Sequence, residues 1–349
     1  MRNIEQFRYI TAAGLDKLVS RLIEDYTVFG TIKKDGFPAF SKITDVKELE
    51  LAQTPTHLSA KEFLFPQRET LLKFDIRNNI HEAVIEAKEQ VIIGLHSCDI
   101  HAIALMDRVF AEGRPDANYL ARRNKTIIIG SDCMPDNFCF CKSMGTMNAE
   151  EGFDLFLHKV KNGYLVRVGS KKGGRLLSRY TATLRPTAGK FRELDESMKI
   201  REASFAAKLD AGVEELPAIY EGAYESPVWD KIGAICTGCG SCNNVCPTCY
   251  CFDIKDEVRP NLREGARVRV WDGCTLEDFA KVAGGHNFRK TRAERLRHRF
   301  NRKFRYLSDR FGELFCVGCG RCSRTCLVKI NIVEVTNEII RESKRAGRK

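Results

Sequence analysis

The sequence lacks most of what would make it a stand-alone enzyme. No Gly-x-Gly-x-x-Gly follows a strand pattern, which removes the dinucleotide fingerprint, and no Walker loop occurs. No motif marks a substrate pocket with an acid–base pair. No apolar run approaches the ~18–20 residues of a membrane helix. The tightest runs are short, such as Val91-Ile92-Ile93 and Ile127-Ile128-Ile129. The opening Met1-Arg-Asn-Ile-Glu-Gln-Phe has no apolar leader, so a reducing cytoplasm is the expected home. There is no low-complexity segment. The 349 residues are 43% hydrophobic and 30% charged, as in an ordinary globular chain of about two domains.

What the sequence does have is 15 cysteines. The count is odd, and the residues are bunched at metal-ligand spacings rather than spread as a stapling framework. Cys236-x-x-Cys239-x-x-Cys242-x-x-x-Cys246-Pro247 is the run of two-cluster ferredoxins. It recurs as Cys316, Cys319, Cys322 and Cys326, with Leu327 in place of the proline. Three cysteines at steps of three wrap a loop around one cubane, and Gly238, Gly240, Gly318 and Gly320 leave room for amides to approach the sulfides. The fourth cysteine starts the next helix and reaches the other cluster. This predicts one [4Fe-4S] cluster on Cys236, Cys239, Cys242 and Cys326, and a second on Cys316, Cys319, Cys322 and Cys246. The competing metal is zinc, whose sites show two CxxC knuckles rather than two tetrads.

A third group comprises Cys98, Cys133, Cys139 and Cys141. Val91–Leu95 and Thr126–Gly130 read as buried strands flanking a helix from Asp99 to about Phe110, a β-α-β unit. Cys98 and Cys133 then fall just beyond the carboxyl ends of adjacent strands, where open α/β sheets bind ligands. The expected occupant is a third [4Fe-4S] cluster, with zinc or packed free thiols as the alternatives. His96 and His101 are candidates for a mixed ligand set. Cys249, Cys251 and Cys274 read as packed thiols, alternate ligands or a redox pair, and His286 as a ligand or a hydrogen-bonded turn residue.

Lys and Arg exceed Asp and Glu by 57 to 46, a net charge of +11. Three loaded clusters with twelve thiolates would bring about −6, leaving about +5. The basic run 289–305 therefore reads as an answer to cluster charge or as a docking face for an acidic subunit. Nucleic acid is not an expected partner, since no recognised binding motif accompanies the run. The predicted fold is mixed α+β or α/β. An α/β domain with a short parallel sheet covers 1–170, and a helical connector 171–230. A two-cluster ferredoxin-like module covers 231–349, with a helical insertion at 252–312. A helix over 11–25, a hairpin about Asp35-Gly36 and a strand at Tyr164–Val168 complete the N-terminal part.

Further stretches carry a family likeness along nearly the whole chain. They are Cys-Asp-Ile-His-Ala-Ile at 98–103, Cys139-Phe-Cys141 with Ser-Met-Gly-Thr after it, and Cys-Gly-Ser-Cys-Asn-Asn-Val-Cys-Pro-Thr-Cys-Tyr-Cys at 239–251. Trp271-Asp-Gly-Cys274, Ala283-Gly-Gly-His-Asn-Phe-Arg and Cys-Val-Gly-Cys-Gly-Arg-Cys at 316–322 continue it. The chain resembles the iron–sulfur subunit family that includes the beta subunit of cytoplasmic NiFe hydrogenases (sulfhydrogenases) and the corresponding iron–sulfur subunit of anaerobic sulfite reductase. The resemblance implies an electron relay between a flavin, NAD(P)-binding subunit on one side and a catalytic subunit on the other, with no flavin or nicotinamide on this chain. It also strengthens the expectation of a third cluster. Similar subunits stand beside heterodisulfide-reductase-like complexes.

Overall fold

The computed structural model describes residues 4–51 and 54–346; the first three residues of the opening segment read above lie outside the described residues. After a short 3-10 turn at Ile4–Gln6, the described chain forms β1 (Phe7–Thr11) and α1 (Ala12–Asp25). Thr11 caps α1, its Oγ1 accepting from Gly14 N at 3.0 Å, and Leu15, Leu18, Val19 and Leu22 are buried along one stripe. β2 (Thr27–Lys34) and β3 (Phe37–Ile43) form the expected hairpin. Asp35 and Gly36 both sit at positive φ, 51° and 83°, as a two-residue turn matched to strand twist requires.

β4 (Arg68–Asp75) and β5 (Ile80–Ala83) follow, then β6 (Gln90–Leu95), α2 (Ser97–Ala111), α3 (Ala117–Asn124), β7 (Thr126–Ser131), β8 (Leu155–Val160) and β9 (Gly163–Val168). The main sheet has the order β1-β9-β8-β7-β6-β2-β3. Its centre, β2-β6-β7-β8, is parallel, and its edges are antiparallel. The parallel unit predicted from two strands is thus the middle of a larger mixed sheet. Side chains alternate across it. Val91, Ile93, Ile127 and Ile129 pack under α1 on one face, while Ile92 and Ile128 meet Ile100, Ile103 and Met106 of α2 on the other.

The segment after β9 is helical: α4 (Lys171–Tyr180), α5 (Ala188–Ala203), α6 (Leu216–Gly222) and α7 (Val228–Ile235). The C-terminal part adds α8 (Ser241–Asn244), β10 (Phe252–Val258), β11 (Glu264–Trp271), α9 (Arg292–Phe304), α10 (Ser308–Phe311), α11 (Arg321–Arg324) and α12 (Ile332–Ala346). α6, α7, α9 and α12 enclose one apolar core, which Phe140 and Met144 of the N-terminal part complete.

The insertion is not helical throughout, contrary to the expectation from sequence. Its first half is the β10–β11 hairpin, and β11 pairs with β4 in a second sheet of order β10-β11-β4-β5. The cause is a long-range charge match. Arg269, almost fully buried in β11, donates from Nε to Glu69 Oε1 of β4 at 2.7 Å and pairs with Asp116. Only carboxylates distant in sequence, Glu69 on β4 and Asp116 before α3, make that arginine tolerable inside.

Candidate metal centres

Both tetrads are built on the same backbone device. Cys236 follows the end of α7, and Gly238 and Gly240 then turn through φ of 72° and 74°. Gly318 and Gly320 repeat this at 64° and 70°. Side chains rarely adopt such angles, so glycine is what allows each loop to curl its amides inward. Gly240 and Gly320 start the short helices α8 and α11, which pack against each other.

Cys236, Cys239 and Cys242 line one cavity with Cys322 and Cys326 of the second repeat. Backbone amides already point at sulfur there, from Gly238 N to Cys236 Sγ at 3.4 Å and from Ile330 N to Cys326 Sγ at 3.2 Å. Cys246 lies instead among Cys316, Cys319 and Cys322. Burial pushes the Cys322 thiol up to about 12, with Arg299 opposing and Cys246 and Cys319 adding to the rise. Cys326 thus stands with the first repeat and Cys246 with the second, while Cys322 borders both groups.

The tetrads are not arranged for single ions. Among the described residues, no three Cys, His, Asp or Glu side chains close around a point at single-ion distance. A zinc knuckle holds four ligands about 2.3 Å from one metal. A cubane spreads its thiolates around four irons, and sulfur-only donors fit it.

Cys98 lies in the first turn of α2 and Cys133 two residues past β7; Cys139 and Cys141 occupy the following loop. Cys141 is in electrostatic reach of the other three thiols. Burial is the main reason Cys133 and Cys141 rise to about 12, and it pushes Cys98 and Cys139 up further. Desolvated thiols of this kind become thiolates only when a metal takes the proton's place. His101 Nε2 bonds the Asn148 carbonyl at 2.8 Å, so it acts as a hydrogen-bonded core residue. His286 packs edge-on against Phe288 in an exposed turn.

The third set is clamped onto the second tetrad. Phe140 N donates to Gly318 O at 2.8 Å and Thr146 Oγ1 to Val317 O at 2.8 Å. A Cβ on Gly318 would lie 2.5 Å from Cys141 Cα, so the two loops are in backbone contact. Arg321, with no exposed surface, donates to both oxygens of Asp99 at 2.7 and 2.9 Å and to the Thr56 carbonyl at 2.8 Å. Arg324 Nε donates to Asp136 at 2.7 Å, and Asp136 in turn accepts from the amides of Phe138 and Cys139.

The sequence reads the basic run as an answer to cluster charge but does not say which cations of α9 face inward. Arg295, Arg299 and Lys303 are buried, one turn apart, beside the apolar positions Leu296, Phe300 and Phe304. Arg299 Nη2 donates to Cys242 O at 2.8 Å and Lys303 Nζ to Thr248 O at 3.1 Å. The signal was present in the spacing: one basic stripe kept step with the apolar one, where a solvated basic helix would place its charges on the far side.

Comparison with known proteins bears on this arrangement. Residues 235–330 match the family model of the 4Fe-4S dicluster domain. The Sulfhydrogenase 2 subunit beta of Pyrococcus furiosus is 39% identical over 325 residues, which cover 92% of this chain and 94% of that one. The chain belongs to the sulfhydrogenase beta-subunit family. It is therefore an iron–sulfur electron-transfer subunit with a dicluster domain, and both the expected mixed α/β fold and the suspected family hold. No solved structure matches it. Among the described residues no helix is long and apolar enough to cross a membrane.

Proposed function

We propose that the chain relays single electrons through three [4Fe-4S] clusters in file, between a flavin, NAD(P)-binding subunit on one side and a catalytic redox subunit on the other. The ligand sets are Cys236, Cys239, Cys242 and Cys326; Cys316, Cys319, Cys322 and Cys246; and Cys98, Cys133, Cys139 and Cys141. The observation that carries this reading is the backbone contact of Phe140 and Cys141 with Gly318, which sets the third group directly against the second tetrad. Bound clusters supply one-electron acceptance and release. The chain's residues hold them by thiolate, donate amide hydrogen bonds to sulfur and keep water out. Arg299 and Lys303 place positive charge between the tetrads, which favours each added electron.

The first tetrad offers the outer end. Cys239 is exposed, and Ile235 and Leu327, the neighbours of Cys236 and Cys326, are exposed apolar side chains suited to a partner subunit. The relative's name supports a hydrogenase partner over a sulfite reductase or heterodisulfide-reductase-like one. The inward-facing cations of α9 weigh against nucleic acid. We place the three segments 1–170, 171–230 and 231–349 in a cytoplasmic hetero-oligomer.

Anaerobic pull-down with iron and sulfide analysis tests the proposal. The expected result is co-purification with a flavoprotein and a NiFe subunit, and a loss of about four irons per chain in Cys98→Ser/Cys141→Ser. A chain purified with neither partner would overturn the relay, and iron unchanged in that variant would remove the third cluster.

A further inference from the structure

The relay leaves three cysteines unused, and the fold gathers them. Cys249 and Cys274 are buried, Cys251 is half-buried, and Cys249 lies in electrostatic reach of Cys246 of the second tetrad. Asp272 N donates to Cys251 O at 3.1 Å, which holds Cys251 beside the turn that carries Cys274, and the two thiols act on each other electrostatically. Cys274 comes from the turn after β11, about two dozen residues along the insertion, so a hairpin was folded to bring it back.

The surroundings are those of an anionic sulfur group. Asn243, 1% exposed, donates from one Nδ2 to both Cys274 Sγ at 3.4 Å and Cys249 Sγ at 3.8 Å, while its Oδ1 accepts from Thr275. Lys61, 6% exposed, reaches in from the N-terminal part. Its Nζ donates to Cys249 O at 2.9 Å and lies 3.8 Å from the centre of the Trp271 ring. The acidic groups acting on it most strongly are the thiols of Cys249, Cys246 and Cys251. Arg299, 3% exposed, leaves Nη1 without a partner and stands between Cys242, Cys322, Cys249 and Cys246. Metal-bound thiolates with bridging sulfides would accept the Asn243 amide and face Lys61.

We propose that Cys249, Cys251 and Cys274 bind an additional iron–sulfur centre through three thiolates, apart from the three clusters of the relay. Three thiolates suit a three-iron cluster, or a four-iron one whose last iron takes a non-cysteine ligand. The thiols do not converge as a single-ion site would require. The centre goes beyond the proposed relay and stands even if the Cys98 set binds nothing.

The test compares the full-length chain, reconstituted anaerobically with iron and sulfide, with Cys251→Ser/Cys274→Ser. The variant is expected to lose about three or four irons and matching sulfide per chain, while keeping the paramagnetic resonance signals of the two tetrads. Equal iron in the two proteins would overturn the proposal. So would a Cys251–Cys274 disulfide found by mass spectrometry in the anaerobically isolated chain. Cys98→Ser/Cys141→Ser, measured in parallel, removes its own increment, so failure at one set is read apart from failure at the other. If the double variant does not fold, Cys274→Ala carries the same readout with less change at the turn.

Discussion

The two tetrads share spacing and backbone angles but lie in opposite surroundings. In the first loop Thr237 and Cys239 are exposed; in the second, Val317 through Gly320 are all buried. The difference lies between the cysteines. Ser241 of the first repeat corresponds to Arg321 of the second, and Asn244 to Arg324. Ser241 hydrogen-bonds Cys239 and holds its thiol below the usual range, whereas burial holds Cys319 above it. Arg321 and Arg324 instead reach across to Asp99 and Asp136 of the N-terminal part. Cysteine spacing specifies what a loop can hold; the residues in between specify what the loop docks on. One repeat is left facing outward and the other is sealed inside.

The largest expected effect tests that docking directly. Arg321→Met leaves Asp99 buried without its partner and should cost about 3–5 kcal/mol. Ser241→Ala, at the matching position, should change stability by less than about 0.5 kcal/mol. Anaerobic urea unfolding of the two variants measures both, and equal costs would break the comparison.

Glycines at one repeat position give the next contrast. Gly318→Ala drives a methyl into the backbone of Cys141 and should cost about 2–3 kcal/mol, along with iron from the Cys98 set. At Gly238 the nearest atom to an added Cβ is Thr275 O at 3.9 Å, so Gly238→Ala should cost only the left-handed strain, about 1 kcal/mol. Iron content and unfolding midpoints together report the asymmetry.

Air should attack the two ends unequally. The centre served by exposed Cys239 is expected to lose its resonance signal before the one served by buried Cys319. Simultaneous decay under controlled oxygen would contradict the assignment of an outer and an inner end.

The smallest effect lies on α9, which packs against both tetrads. Burial, with Arg289 and Arg302, lowers His298 from 6.5 to about 4. Between those values the unfolded chain takes up a proton that the folded chain refuses. Stability should therefore rise with pH across that window, and His298→Gln should flatten the rise. Thermal melts at pH 5 and pH 7 would show it, and an unchanged slope in the variant would assign the titration elsewhere.

The β6-α2-β7 unit was legible because its signals are local: two short apolar runs, with a helical stripe between them. The hairpin of the insertion was not, because β10 and β11 are largely polar and depend on β4 for their inner edge. The basic run 289–305 was legible as charge but not as buried charge. Facing inward is stable for Arg299 and Lys303 only once the cysteine loops close over them.

By itself, the order of residues determined the chemistry on offer: thiols in steps of three, glycines where the loops must curl, and a repeat that can exchange its fourth ligand. Those are short-range properties of the chain. Which loop would be enclosed was decided only by the assembled fold. The carboxylate that makes Arg321 stable inside is Asp99, 222 positions earlier in the chain, and no local pattern can announce a partner that packing alone delivers.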